Sequence, residues 1–331
     1  MRRPILVLVL AASLALIAGC EFLGWDVYPT ELQNVDRRLD LGTLVLNQTG
    51  YGLDHVMETA VLRAHPSLPY HLLVLCSLKD SGGNAVFFLD PVTLSFEAWV
   101  WIGNANRPLT VAYADDIPIG ASFCAGQVRI DPVNLVDSSP PWAQANNSAG
   151  VILQPSLTNS LVLYSSNGDW GLKVYSNAWG LLDTRGKAFM AGNYALDLVA
   201  VATAQASTAV RLILRDSNTK HGQLVEFANP EDMVTAISSG ALDIKTSGLT
   251  TKFRDFGHDI RDLWLTDKEI LAYEDYDKGK LVRYSLADGS ELDSRSFSGE
   301  EAQGLSFSSV TSRWYYWDKA RQEFLSLRTW W

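Results

Sequence analysis

The residue whose neighbours best equip it for chemistry is Cys20. It directly follows Ala18 and Gly19, at the end of an almost wholly apolar run, Ile5 to Ile17, that begins just after Arg2 and Arg3. A thiol can form a thioether, which neither a hydroxyl nor a methyl group can do. Small side chains before it leave the peptide bond open to a peptidase. A basic start, an apolar stretch and small residues, in that order, make the secretory signal pattern. The stretch of about a dozen residues is shorter than the roughly 20 needed to cross a bilayer as a helix.

Other chemistry is sparse. The five histidines, at 55, 65, 71, 221 and 258, have no pair at metal-ligand spacing, and each reads as a structural or surface histidine. Nucleophile elbows, H-E-x-x-H and phosphate-binding glycine loops are absent. Glu274, Asp275 and Asp277 precede Lys278-Gly279 in a superficial likeness to a calcium loop. Counting twelve positions from Asp275 reaches Leu286 rather than a bidentate glutamate, so this reads as a solvated hairpin turn. Asp255, Asp259 and Asp262 offer paired carboxylates of the kind glycosidases use, with no sequence sign that they converge. No catalytic residue, metal site or cofactor is assigned.

The 11 tryptophans invite a glycan-stacking reading. Trp99 and Trp101 alternate in "EAWVWIG", share one strand face and read as packing. Trp314 and Trp317 do not share strand parity. Trp170, in the turn-like "SNGDWGL", is the one candidate binding residue.

Ile17-Ala18-Gly19-Cys20 resembles the lipobox of bacterial lipoproteins. The resemblance implies that Cys20 carries a diacylglycerol, that residues 1–19 are removed, and that the new amino group is acylated as well. It also implies palmitate incorporation and an exported, lipid-anchored protein, periplasmic or at the cell surface. Glu21, and not an aspartate, follows the cysteine, which implies an outer membrane where the cell has one. More than one acyl chain gives stable anchoring.

Removing residues 1–19 takes Arg2 and Arg3 and no acid, leaving 25 basic against 37 acidic residues, a net charge of −12. Nucleic acid is therefore not an expected partner. No basic amphipathic segment is present, so contact with the bilayer is expected through the lipid alone. Cys76 and Cys124 lie in apolar runs, "LLVLCSL" and "ASFCAG", and read as buried free thiols. The exported compartment would permit a disulfide.

The elements that must position all this read as strands. Residues 20–40 are a lipidated tether and entry segment that carries Trp25 and Tyr28, with a short helix expected around Thr30 to Leu39. Residues 41–331 alternate short apolar, β-branched runs with Gly, Asn, Asp, Ser and Pro turns. Asp90-Pro91-Val92-Thr93-Leu94 matches Asp131-Pro132-Val133-Asn134-Leu135, an offset of 41 residues in which Asp-Pro opens a tight turn. A period near 40 is that of a four-stranded propeller blade. Hairpins at 161–176, 198–216, 270–292 and 313–331 fit the same template, and "GQLVEFA" fits a further strand. In the gap after it, Asn229 and Pro230 could open a short helix.

Residues 257–289, with Gly257-His258 before an apolar strand and a later strand ending Tyr284-Ser285, resemble a WD repeat whose Trp-Asp is replaced. "LDPVTL" and "SLADGSEL" resemble YVTN-type and quinoprotein-type propeller repeats. The expected fold is all-β, a propeller of about seven blades with six to eight allowed; two β-sandwich domains are the alternative. Closure favours the propeller, because radial blades leave only short sheet edges. The function expected is a membrane-anchored, non-catalytic protein-interaction module, with an envelope carbohydrate-binding protein or glycosidase as the alternative.

Overall fold

The computed structural model describes residues 35–64, 67–80, 83–103, 109–113, 121–125, 128–138, 150–153, 159–166, 169–176, 181–187, 190–191, 194–203, 210–216, 221–228, 232, 251–266, 268–274, 279–297 and 302–329. The chain opens with β1 (Val35–Leu39) and α1 (Leu41–Thr49). Blade 1 follows as β2 (Leu53–Leu62), β3 (His71–Leu78), β4 (Asn84–Leu89) and β5 (Phe96–Gly103). Blade 2 is β6 (Leu109–Tyr113), β7 (Ala121–Ala125) and β8 (Val128–Ile130). Blade 3 is β9 (Gly150–Leu153), β10 (Asn159–Ser166), β11 (Asp169–Ser176) and β12 (Leu181–Lys187). Blade 4 is β13 (Met190–Ala191), β14 (Tyr194–Thr203), β15 (Val210–Asp216), β16 (Gly222–Phe227) and β17 (Thr251–Phe256). Blade 5 is β18 (Ile260–Leu265), β19 (Glu269–Glu274), β20 (Lys280–Ser285) and β21 (Glu291–Ser296). Blade 6 is β22 (Ala302–Ser308), β23 (Arg313–Asp318) and β24 (Glu323–Arg328).

Every sheet is an antiparallel meander, and β1 completes blade 6 by pairing with β24, so the two ends of the described chain share one sheet. Strands of neighbouring blades pack side by side: β22 on β2, β2 on β6, β6 on β9, β14 on β18 and β18 on β22. This is the propeller. The six sheets among the described residues fall within the expected six to eight, one below the central figure. Dividing the chain by 41 counts the stretch 229–250 as blade; of it only Asp232 is described, and Asn229 and Pro230, expected to open a short helix, lie outside the described residues.

Strand parity explains the core. β3 reads as a continuous apolar run because it is covered on both faces. Leu72, Val74 and Cys76 face blade 6, where they join Tyr315, Trp317 and Phe324. Leu73 and Leu75, with Phe88 of the same sheet, face blade 2, where they join Phe123 and Ile130. The odd spacing of Trp314 and Trp317 has the same consequence. Trp317 packs toward blade 1, and Trp314 packs with Leu271 and Leu281 of blade 5. Each of these faces is removed from water, at about 1.5–3 kcal/mol per large side chain.

The helix expected around Thr30 to Leu39 is corrected over 35–39, and residues 30–34 lie outside the described residues. Residues 35–39 are strand β1, and the helix is α1, starting at Leu41. Asp40 sets this boundary: its Oδ1 accepts from Thr43 N at 2.8 Å and its Oδ2 accepts from Thr43 Oγ1 at 2.7 Å. Gly50, at φ 77°, ends the helix by donating its N–H to Leu46 O. Leu41 and Val45 seal the seam between blades 6 and 1. No helix among the described residues is long and apolar enough to cross a membrane.

Candidate functional site

Because each strand reverses direction, the turns of a meander alternate between two ends of the propeller. One end carries α1, the β3–β4 turn and the β23–β24 turn. The other carries the β2–β3, β4–β5, β20–β21 and β22–β23 turns, together with Val35, where the described chain begins opposite Leu327.

At the α1 end, the rings of Tyr51 and Trp101 meet at 5.9 Å and 51°. Both are partly open to solvent, at 42% and 39%. Trp101 lies close over Gly83, where a Cβ would come within 2.6 Å of its Cζ2, so a glycine in the β3–β4 turn is what lets the indole settle there. Lys79 N–H donates to Gly52 O at 2.8 Å, holding the segment after α1 against the same turn. The pair corrects the reading of Trp101 as packing. Trp99 does pack, stacked on Phe87 at 6.2 Å, while Trp101, paired with Ala85 toward the end of β5, keeps 39% of its surface open. Tyr51 was not singled out in the sequence. The signal was the Asp40 cap and the Gly50 stop, which together deliver Tyr51 to that end.

The inner wall between blades 6 and 1 is polar. Gln303 Oε1 accepts from Val56 N at 3.1 Å. Thr59 Oγ1 donates to Gly304 O at 2.5 Å and lies 2.5 Å from Ser306 Oγ. One blade further, Glu58 Oε2 accepts from Leu109 N at 3.2 Å, bridging β2 to β6. These groups spend their hydrogen bonds on holding first strands together.

The acidic residues resolve differently from their reading. Glu274 is buried at 4% exposure, not part of a solvated turn. It accepts from Tyr284 Oη and, at 3.0 Å, from His258 N. Burial, and then the bond and charge of Glu274, push the Tyr284 phenol well above its usual range. Gly257, at φ 71°, stands where a Cβ would come within 2.7 Å of Glu274 Oε1. In the Gly-His pair that resembles a WD repeat, Gly257 is therefore buried against Glu274, and the exposed His258 joins this knot through its backbone N–H. Asp275 and Asp277 lie outside the described residues. Asp255 is on β17, Asp259 in the bend before β18 at φ 44°, and Asp262 is exposed on β18. Among the described residues, no group of three or more His, Cys, Asp or Glu could hold a metal ion.

Trp170 is the second residue of β11, paired with Ser165 and Lys187. Cys20 lies outside the described residues. Cys76 and Cys124 are buried free thiols, and burial raises the Cys76 thiol far above its ordinary range.

No family model and no curated protein sequence matches the chain. Among solved structures it is similar to one titled "Structure of Dos1 propeller", at 8% identity and a TM-score of 0.38, over 84% of this chain and 68% of that one. It is also similar to one titled "Crystal structure of the eukaryotic initiation factor", at 8% identity and a TM-score of 0.31, over 75% of this chain. The chain spans 56% of the length of that second protein. Likeness at this level carries no argument about activity or partner.

Proposed function

We propose that this chain is a lipid-anchored protein of the bacterial envelope whose propeller docks another envelope protein without catalysing a reaction. The observation that carries the reading is Ile17-Ala18-Gly19-Cys20 after Arg2, Arg3 and the Ile5 to Ile17 run. The buried polar groups described above support it further, since they are engaged in holding blades together.

The test is palmitate labelling and membrane fractionation of wild type beside Cys20→Ala. Wild type should incorporate label and sediment with membranes. The variant should fold, because β1 begins only at Val35, and should lose the label. Label on the variant, or none on wild type, rejects the anchor. Cross-linking in intact envelopes should then recover a protein partner.

The exposed Tyr51–Trp101 pair favours a second reading, a carbohydrate-binding module, because sugar rings lie flat on aromatic faces. Calorimetric titration with cell-wall glycan fragments decides it. Binding that Trp101→Ala abolishes supports the second reading, and no binding rejects it.

A further inference from the structure

Among the described residues, the large apolar side chains left open to solvent are Leu46, Tyr51 and Trp101 at the α1 end and Val92, Val133, Val136, Leu292 and Val310 at the other. Three sit at one equivalent position of three hairpins: Val92, Val133 and Val310, at 44%, 57% and 45% exposure. Each is the second residue after the one that opens the turn, namely Asp90, Asp131 and Ser308. Each precedes by two a residue in the left-handed region: Leu94 at φ 60°, Leu135 at 52° and Ser312 at 52°. In the first two turns the opening aspartate's Oδ1 accepts from the valine's own N–H, at 2.9 and 2.8 Å, which fixes the valine at the tip. Turn tips ordinarily take Gly, Asn, Asp or Ser. Val136 and Leu292, also exposed, follow two turns of the same end.

That end is where the described chain begins. Val35 pairs with Leu327, and Thr329 N–H donates to Ser312 O at 3.3 Å, beside the Val310 hairpin. Asp36 ties the Arg313 that closes this hairpin to β1. The Val310 and Val92 hairpins are linked directly: Tyr315 Oη donates to Pro91 O at 2.6 Å and lies 2.8 Å from Thr311 Oγ1. Cys20 is only fifteen residues before Val35, a span of at most ~54 Å of extended chain.

We infer that this hairpin end is the membrane-facing surface, with Val92, Val133 and Val310 entering the headgroup boundary of the bilayer that holds the acyl chains. The inference rests on the proposed lipid anchor and replaces the expectation that the lipid alone touches the membrane. Asp90 and Asp131 stand on two of the valine turns and Asp288 on the β20–β21 turn of the same end, while Arg313 and Arg328 there are paired with Asp36, so anionic headgroups are not the attraction. The contact is apolar and insensitive to salt, and it turns the α1 end with Tyr51 and Trp101 toward the aqueous side.

The test uses the full chain with Val133→Cys or, at the opposite end, Leu46→Cys, each labelled with a maleimide fluorophore under native conditions, where the buried Cys76 and Cys124 do not react. The proteins are reconstituted into phosphatidylethanolamine–phosphatidylglycerol vesicles containing lipids with a nitroxide near the headgroup. The label at 133 should lose most of its fluorescence and the label at 46 should stay bright. Equal brightness at both positions overturns the proposal. So does cross-linking of two copies through residue 133, which would mean that a second copy covers the face. Mass measurement of the same samples reports acylation of Cys20 separately. If no acyl chain is present the anchor fails; the pair is then labelled in Cys20→Ala, so that the fluorophore sits at 133 or 46 alone, and selective quenching at 133 still supports the docking face while its absence overturns it.

Discussion

Asp36 is the residue on which the joining of the two ends of the described chain most depends. Its Oδ2 accepts from Arg313 Nε and Nη2 at 3.0 and 2.8 Å, and its Oδ1 accepts from Arg328 Nε at 2.9 Å. Burial works to raise its pKa, but the hydrogen bonds and charges of the two arginines outweigh that and leave it lowered. A carboxylate depressed in the folded state contributes stability above its unfolded pKa of about 3.9, and that contribution disappears as pH falls through the folded value. Asp36→Asn should therefore cost about 2–3 kcal/mol at pH 7, less than a fully buried pair because Arg328 is largely exposed. The deficit should begin to shrink as pH falls below the unfolded value of about 3.9 and should vanish only once pH lies below the lowered folded value, where wild type has lost the same charge. Urea unfolding across pH measures it. A constant deficit down to pH 3 would mean that shape, and not charge, was lost.

The recurrent element is a hairpin turn closed by two backbone bonds. Leu94 N–H donates to Asp90 O and Asp90 N–H to Ser95 O, both at 2.9 Å, and the Asp131 turn repeats both bonds. In blade 5, Ser285 and Gly289 take the same places, with Gly289 at φ 75°. The left-handed position suits glycine, yet Leu94, Leu135, Ser312 and Gln322 occupy it elsewhere. Ser312 is exposed, so Ser312→Gly should relieve about 1–2 kcal/mol of backbone cost and return about 0.5–1 kcal/mol through the freer unfolded chain. The net expectation is a gain of about 0.5 kcal/mol, read as a higher urea midpoint at unchanged slope. A lower midpoint would refute it. Gly304, at φ 61°, is the opposite case: a Cβ there would overlap Val56 Cγ1, so Gly304→Ala should lower the midpoint and loosen β22 from β2.

At the scale of the molecule, Cys76 lies in the seam of blades 6 and 1, and Cys124 lies in β7 of blade 2, both inaccessible to solvent. Neither should react with iodoacetamide in the native state. Both should react together, at the denaturant concentration where tryptophan fluorescence reports unfolding, and without prior reduction. Separate onsets would show blades opening independently. If neither reacts in denaturant until reductant is added, the thiols are bridged.

The sequence by itself determined the local features. Period-two apolar runs and Asp-Pro or Asn-Gly turns specify antiparallel hairpins, because strand burial and turn geometry are settled within a few residues; the β10–β11 register does close on Ser166 and Asp169, either side of Asn167-Gly168. The offset between Asp90 and Asp131 carried the blade repeat. The sequence also carries the basic, apolar and small residues that end at Cys20. What only the tertiary structure decided is what meets across the blades. β1 joins a strand nearly 290 residues away, with Val35 opposite Leu327. Glu274 looks like a solvated turn residue until Tyr284 and the His258 amide converge on it. Trp99 and Trp101 have one parity and different fates, because cover from neighbouring elements, and not alternation, sets exposure. Pairing between distant strands and burial between sheets are properties of the assembled blades, and no stretch of a few residues encodes them.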